Sequence, residues 1–440
     1  MTNAEVKQKN RDYSLFTWCV QNTTDALPID RGEGVFLYDM EGNRYWDMRS
    51  DQVNRNIGSS HPKVIARMKE QLDKISMGGP QYSTEAKGEL SERLVAKLPD
   101  NFGKILYTNG GADAIENAIK IAKMYTGRTK VLSRWRSYHG CTVGAGSLTG
   151  DPRRWPMEPG MPGTVKCFAP YCYQCPFHSD PEHCALECAT HIEDILMYED
   201  PTSFAAILVE TVVGSNLMQP PPKGYLEKLR EICDKYGILL ILDEVMAGFG
   251  RTGSFFAFEQ YGVKPDMVAM AKGITGGYFP MGAVAVNKKI CDYYEDKYLC
   301  TGLTYSGHVL GCATACAVLD VMEEEHLVEH AKEVGDYVGQ WLDKLAEKHP
   351  CVGEARGVGL MRCLDLVYSK KTREPLCPFN GGASPVDELI AFMKKHNILF
   401  SYHWNLVLVT PPLIITKEQI DEIMPILDEG LSLLDKYVKE

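Results

Sequence analysis

ILLILDEVMAGFGRTG, residues 238–253, sets five apolar residues against two acids, then a loop with three glycines and one arginine. An unbroken apolar run of this length reads as a strand buried on both faces. A bare carboxylate at its tip is costly unless something cationic meets it. The stretch therefore asks which cation Asp243 serves. Working outward, residues 104–108, 131–133, 204–210, 267–271 and 283–286 are further strand candidates. Ile115, Ala118, Ile119 and Ala122 recur at helical spacing, and residues 225–236 read as a helix. Buried strands alternating with helices predict an α/β fold, its largely parallel sheet covered on both faces. Residues 311–349 and 416–437 are expected to be helical, and QPPPKG and TPPL to be turns. The expected division is an N-terminal segment 1–50 joining a small domain at 321–440, with a large domain at 51–320.

The chain has 440 residues, 45% hydrophobic and 24% charged, with a net charge of −11. That supports a substantial core and offers no basic stripe, so no nucleic-acid partner is expected. No apolar run approaches the ~18 residues of a spanning helix, and residues 15–20 are too short for a secretory signal. A cytoplasmic protein without a membrane partner is the expectation. The 15 cysteines are odd in number and scattered, which argues against a disulfide framework.

Lys272 closes an apolar strand candidate in MVAMAKGITGGYFPMG, residues 267–282, and enters a glycine-rich loop. It reads either as an exposed loop lysine or as a buried amine, which must be paired, neutral or covalently bound. A desolvated lysine forms Schiff bases with carbonyls. Asp243 also closes a strand, and ligands of α/β sheets collect beyond the strands' carboxyl ends. Lysine as Schiff base with an aspartate against a pyridinium nitrogen is the pairing pyridoxal 5'-phosphate requires. The cation of the opening question would then be a cofactor ring. A magnesium site at Asp243–Glu244 would need a G-x-x-x-x-G-K-[ST] loop, and the chain has none. YTNGGADAIENAIKIAK, residues 107–123, adds Gly110 and Gly111 at a helix start, where free N–H groups hold an anion. Tyr138, beside His139 in RSYHGCT, can lie flat on a planar ring.

Together these features resemble the class III pyridoxal-phosphate-dependent aminotransferases of fold type I, over nearly the whole chain. GEGVFLYDMEGNRYWDM, YHG, LVETVVG, LDEVMAGFGRTG, AKGITGGYFPMG, TYSGH, ARGVGLM and PPLIIT carry the resemblance. It implies a mainly parallel seven-stranded sheet and a smaller α+β domain from both termini. It implies that Lys272 holds the cofactor and moves the proton, and that Asp243 bonds the ring nitrogen. Val245 and Tyr138 would cover the ring faces, with His139 alongside. Gly110, Gly111 and Ala112 would hold the phosphate, and Thr304 would reach it from the partner of a homodimer, with tetramers left open. Glu210 would lie near cofactor and substrate. Three departures stand out. Ala112 replaces a usual Ser or Thr, and Met246 a usual Gln. No arginine precedes the PPL turn, where Leu408 or Ser401 stands.

An anionic substrate still needs a cation, and TGDPRRWPMEPG offers Arg153 and Arg154, with Arg154 taken as the substrate residue and Trp18 as a wall of its pocket. MRSDQVNRNIG resembles a subgroup acting on ω-amino acids. The expectation is transfer of the terminal amino group of taurine, β-alanine or 4-aminobutyrate, taurine first, to pyruvate or 2-oxoglutarate. An aminomutase or amino-acid epimerase of the same fold is the alternative, separated by whether an external 2-oxo acid is required. A non-enzymatic, zinc-stapled binding protein would leave Lys272 and Asp243 unexplained. Cys172, Cys175, Cys184 and Cys188 have spacing that could supply four thiolates, but no metal is expected.

Overall fold

Seven strands form the large sheet of the computed structural model, which describes residues 1–180 and 183–439. They are β1 Phe102–Thr108, β2 Lys130–Arg134, β3 Thr164–Cys167, β4 Phe204–Glu210, β5 Leu239–Asp243, β6 Met267–Met270 and β7 Gly282–Asn287. Their spatial order is β1-β7-β6-β5-β4-β2-β3. β7 runs antiparallel to both neighbours, and the other pairs are parallel. The expected α/β architecture with a mainly parallel seven-stranded sheet is thus what the chain forms. β4 and β5 are buried at every position, which is why they read as unbroken apolar runs. β3 was not anticipated. It is a short edge strand, mostly half-buried, and its sequence TVKC carries no such run.

β4 and β5 pair in register, Glu210 opposite Asp243, so two carboxylates end side by side at the strands' carboxyl ends. Helix Gly111–Thr126 packs one face of the sheet through Ala114, Ile115, Ala118, Ile119 and Ala122. Helix Tyr225–Tyr236 covers the other through Leu226, Leu229 and Ile232.

Strands Ile29–Glu33, Phe36–Asp39 and Arg44–Asp47 form a second sheet, completed by Ile398–Leu399. The N-terminal segment is therefore hydrogen-bonded to the C-terminal part of the chain. A third, antiparallel sheet orders Val352–Val358, Met361–Leu366, Leu406–Val409 and Ser401–His403. The long helical stretch at 311–349 is two helices, Val309–Glu324 and Leu327–Lys348, parted at His326, whose φ is 49°. No helix among the described residues is long and apolar enough to cross a membrane.

Candidate active site

The two acids at the tip of β5 face opposite ways. Glu244 turns inward and is consumed by the fold. Its carboxylate accepts from Thr211 Oγ1 at 2.6 Å and from the backbone N–H groups of Ala257 and Phe258 at 3.0 Å each. Burial nevertheless pushes it up to about 7. Asp243, 4% exposed, faces a cavity. Its Oδ1 accepts the Val245 N–H at 2.9 Å, and its Oδ2 lies 2.7 Å from His139 Nδ1. Burial holds the His139 ring below its usual range, so it is neutral near pH 7 and Nδ1 donates to Asp243. Asp243 is thereby oriented with one edge left for a ligand.

Lys272 follows β6 at the start of a 3-10 turn, Lys272–Thr275, with φ at 47°. Such a backbone is unfavourable for a side chain with a Cβ, and strain of this kind is often held at active sites. Its amine takes part in no hydrogen bond among the described residues, and burial pulls it below the ordinary lysine range against the pull of Asp243 and Glu210. Glu210 is buried. Its Oε1 accepts the Gly214 N–H at 3.2 Å, and its Oε2 has no partner among the described residues. Burial raises it to about 8, Arg134 opposing and Asp243 adding.

Helix Gly111–Thr126 begins without a side-chain cap, so its first N–H groups are free for an anion. A Cβ on Gly111 would stand 3.0 Å from Val245 Cγ1, which closes the turn against the loop after β5. An unbonded amine, a buried acid with a free edge, an orphaned carboxylate oxygen and an uncapped helix start all open on one cavity. They fit a cofactor with a carbonyl, a ring nitrogen and a phosphate.

The cavity measures about 1210 Å³ and includes Trp18, Gly110, Gly111, Ala112, Tyr138, His139, Glu210, Asp243, Val245 and Lys272 in its lining. Trp18 contributes although 64% of it is exposed. Thr304 is exposed and is not among the residues lining its own chain's cavity. Arg154, the expected substrate arginine, is also not among them. It pairs with Glu158 and lies 4.9 Å from the Trp135 ring. Its neighbour Arg153 lines the cavity instead, 3.8 Å above the Tyr138 ring. Asp151 holds Arg153 by two bonds to Nε, at 3.1 and 2.9 Å, and one to Nη2. Asp151 Oδ2 also accepts Asn216 Nδ2 at 3.1 Å, and Asn216 Oδ1 lies 3.1 Å from His403 Nε2. Burial, with Arg153 adding to it, lowers His403 to about 4.

Several lining residues escaped the sequence reading. Arg49 sits in a stretch noted for its resemblance rather than for this residue, and His403 carries no local signal. Leu408 and Ser401, the uncharged positions before the PPL turn, do stand in the wall. At the rim, Asp25 accepts both Lys7 at 2.7 Å and Lys394 at 3.0 Å. The cysteine-rich stretch contains Pro181 and Glu182, which lie outside the described residues. Among those described, no three His, Cys, Asp or Glu side chains are grouped to hold a metal.

The class III aminotransferase family matches residues 19–431. A solved taurine:2-oxoglutarate aminotransferase from Bifidobacterium kashiwanohense, in complex with PLP and glutamate, is 40% identical. The match has a TM-score of 0.95 and covers 100% of this chain and 99% of that one. An (S)-enantioselective omega-transaminase from Thermomicrobium roseum is 33% identical with a TM-score of 0.91, over 100% and 99%. A probable gamma-aminobutyrate transaminase 4 of Oryza sativa subsp. japonica is 33% identical over 94% of this chain and 88% of that one. The lysine and aspartate beyond the sheet and the match along the chain lead to one conclusion: the protein belongs to the class III aminotransferases, enzymes that use pyridoxal phosphate.

Proposed function

We propose that this aminotransferase takes the terminal amino group of an ω-amino acid with a distal sulfonate or carboxylate, taurine first, and passes it to 2-oxoglutarate or pyruvate. The observation that carries this reading is Arg153, a guanidinium fixed in the cavity wall by a buried aspartate and an aromatic face. The likeness to a taurine:2-oxoglutarate aminotransferase along the full chain supports it.

When bound, pyridoxal phosphate supplies an electron sink for the bond broken at the substrate carbon. The chain's residues would do the rest. Gly110, Gly111 and Ala112 would hold the phosphate, Asp243 would keep a proton on the ring nitrogen, and Val245 and Tyr138 would flank the ring. Lys272, its amine made less basic by burial, would move the proton from the substrate carbon to the cofactor's carbonyl carbon, and back again in the second half-reaction. Arg153 holds the distal anion, and Trp18 excludes water on the outer side. Thr304, exposed in one chain, would serve the partner's site in a homodimer.

Donor specificity is tested by following the visible band of the holoenzyme with single amines and no acceptor. Taurine, β-alanine or 4-aminobutyrate should bleach it and ornithine should not, while glutamate or alanine bleaches it only as the reverse of the acceptor half-reaction. Lys272→Ala should abolish both the band and the response. Bleaching by α-amino acids alone would overturn the ω-donor reading. No bleaching by any donor would favour an aminomutase or epimerase.

A further inference from the structure

The cavity wall carries more cationic capacity than a donor with one distal anion uses. Besides Lys272, three cationic side chains line it, and two are paired with a carboxylate: Arg153, which Asp151 positions for the distal anion, and Lys394 with Asp25. The third, Arg49, is half-buried. Its one side-chain hydrogen bond among the described residues runs from Nε to the Asp51 carbonyl at 2.8 Å, and no carboxylate lies within ion-pair distance. The nearby Asp47 is engaged by Arg55 at 3.2 Å.

The segment that presents Arg49 is held in an uncommon shape. Ser50, Asp51 and Val53 have φ of 49°, 56° and 58°, unfavourable for side chains with a Cβ and most of all for a β-branched valine. Such a run persists only when its surroundings over-determine it, and here they do. Buried Arg251 reaches Ser50 Oγ at 3.3 Å and Asn56 Oδ1 at 3.0 Å. Asp47 takes the Asp51 N–H. Thr410 bonds the carbonyls of Met48 and Arg49. Thr410 follows the strand that puts Leu408 into the wall, so on this side Arg49 supplies the charge that Leu408 does not.

An aminotransferase admits two substrates in turn to one cavity. A taurine-like donor brings one anion, whereas a 2-oxo dicarboxylic acid brings two. We propose that Arg49 is a second oxyanion site, and that the two carboxylates of a 2-oxo dicarboxylate acceptor are divided between Arg49 and Arg153. The proposal rests on the ω-donor reading, since it separates substrates by the number of anions they carry.

The test is Arg49→Gln, with Arg49→Lys beside it, as holoenzymes. Half-reactions are followed with taurine and glutamate as donors, and with succinic semialdehyde and 2-oxoglutarate as acceptors to the aminated enzyme. Half-saturation for the two-anion substrates, glutamate and 2-oxoglutarate, should rise about tenfold or more in Arg49→Gln, with part of the loss restored in Arg49→Lys. For taurine and succinic semialdehyde it should stay within about twofold. An equal rise for all four, as from a disturbed wall, overturns the proposal, and so does no change. If the wild type reacts with neither one-anion substrate, the ω-donor reading itself fails and takes the proposal with it.

Discussion

Asp151 fixes Arg153 from both ends: it accepts the arginine's own backbone N–H at 2.9 Å and grips the guanidinium from below. Replacing it by asparagine removes the charge that holds the arginine while keeping the shape. Asp151→Asn should raise KM for taurine about tenfold and change kcat less than about threefold, because distal-anion binding is shared by ground and transition states. Initial rates across taurine concentrations decide it, and an equal fall in kcat would contradict this role. Lys272 and Asp243 were legible because a charge at the end of an apolar strand breaks a rule. The choice between Arg153 and Arg154 was not, since neighbours on one 3-10 turn, Pro152–Met157, point to different sides. Glu210 brings a pH dependence. Its ordinary value is 4.5 and burial lifts it to about 8. Between those values the folded chain keeps a proton that the unfolded chain has lost, so this group makes stability fall as pH rises through the window. Glu210→Gln should therefore melt above the wild type at about pH 8.5, the gap closing as pH falls to about 4.

At the scale of elements, the phosphate cradle depends on a loop pressed against a helix start. Gly140 has φ at 139°, and a Cβ there would stand 2.6 Å from Ala112 Cβ. Gly140→Ala should displace the first turn of helix Gly111–Thr126. We expect cofactor affinity to fall about tenfold and stability by ~1–3 kcal/mol, read by cofactor titration and by melting. Unchanged cofactor affinity would mean that the helix start does not bear on the phosphate. Element identity was readable where burial was complete, as in β4 and β5. Where burial was partial or the backbone turned left-handed it was lost, as two places show. β3 lies half-buried at the sheet edge, and the break at His326 depends on a left-handed residue that helical periodicity does not announce.

Across the whole molecule, the arginine of GFGRTG turns out to be a fastener. Arg251 is fully buried and bonds the carbonyls of Leu360 and Pro411 as well as Ser50 and Asn56. It joins the loop after β5 to the C-terminal part and to the N-terminal segment. Burial lowers it to about 9. The motif was visible in the sequence, but these partners, roughly a hundred to two hundred residues away, were not. The outer wall is fastened differently. Asp25 ties Lys7 to Lys394 in the open, with side chains 64%, 41% and 44% exposed. Exposed pairs weaken as salt rises. This clasp anchors the stretch of chain that carries Trp18, so the mouth of the site is sprung by ionic strength. In concentrated salt the enzyme should hold small donors less tightly, although no residue that touches them has changed.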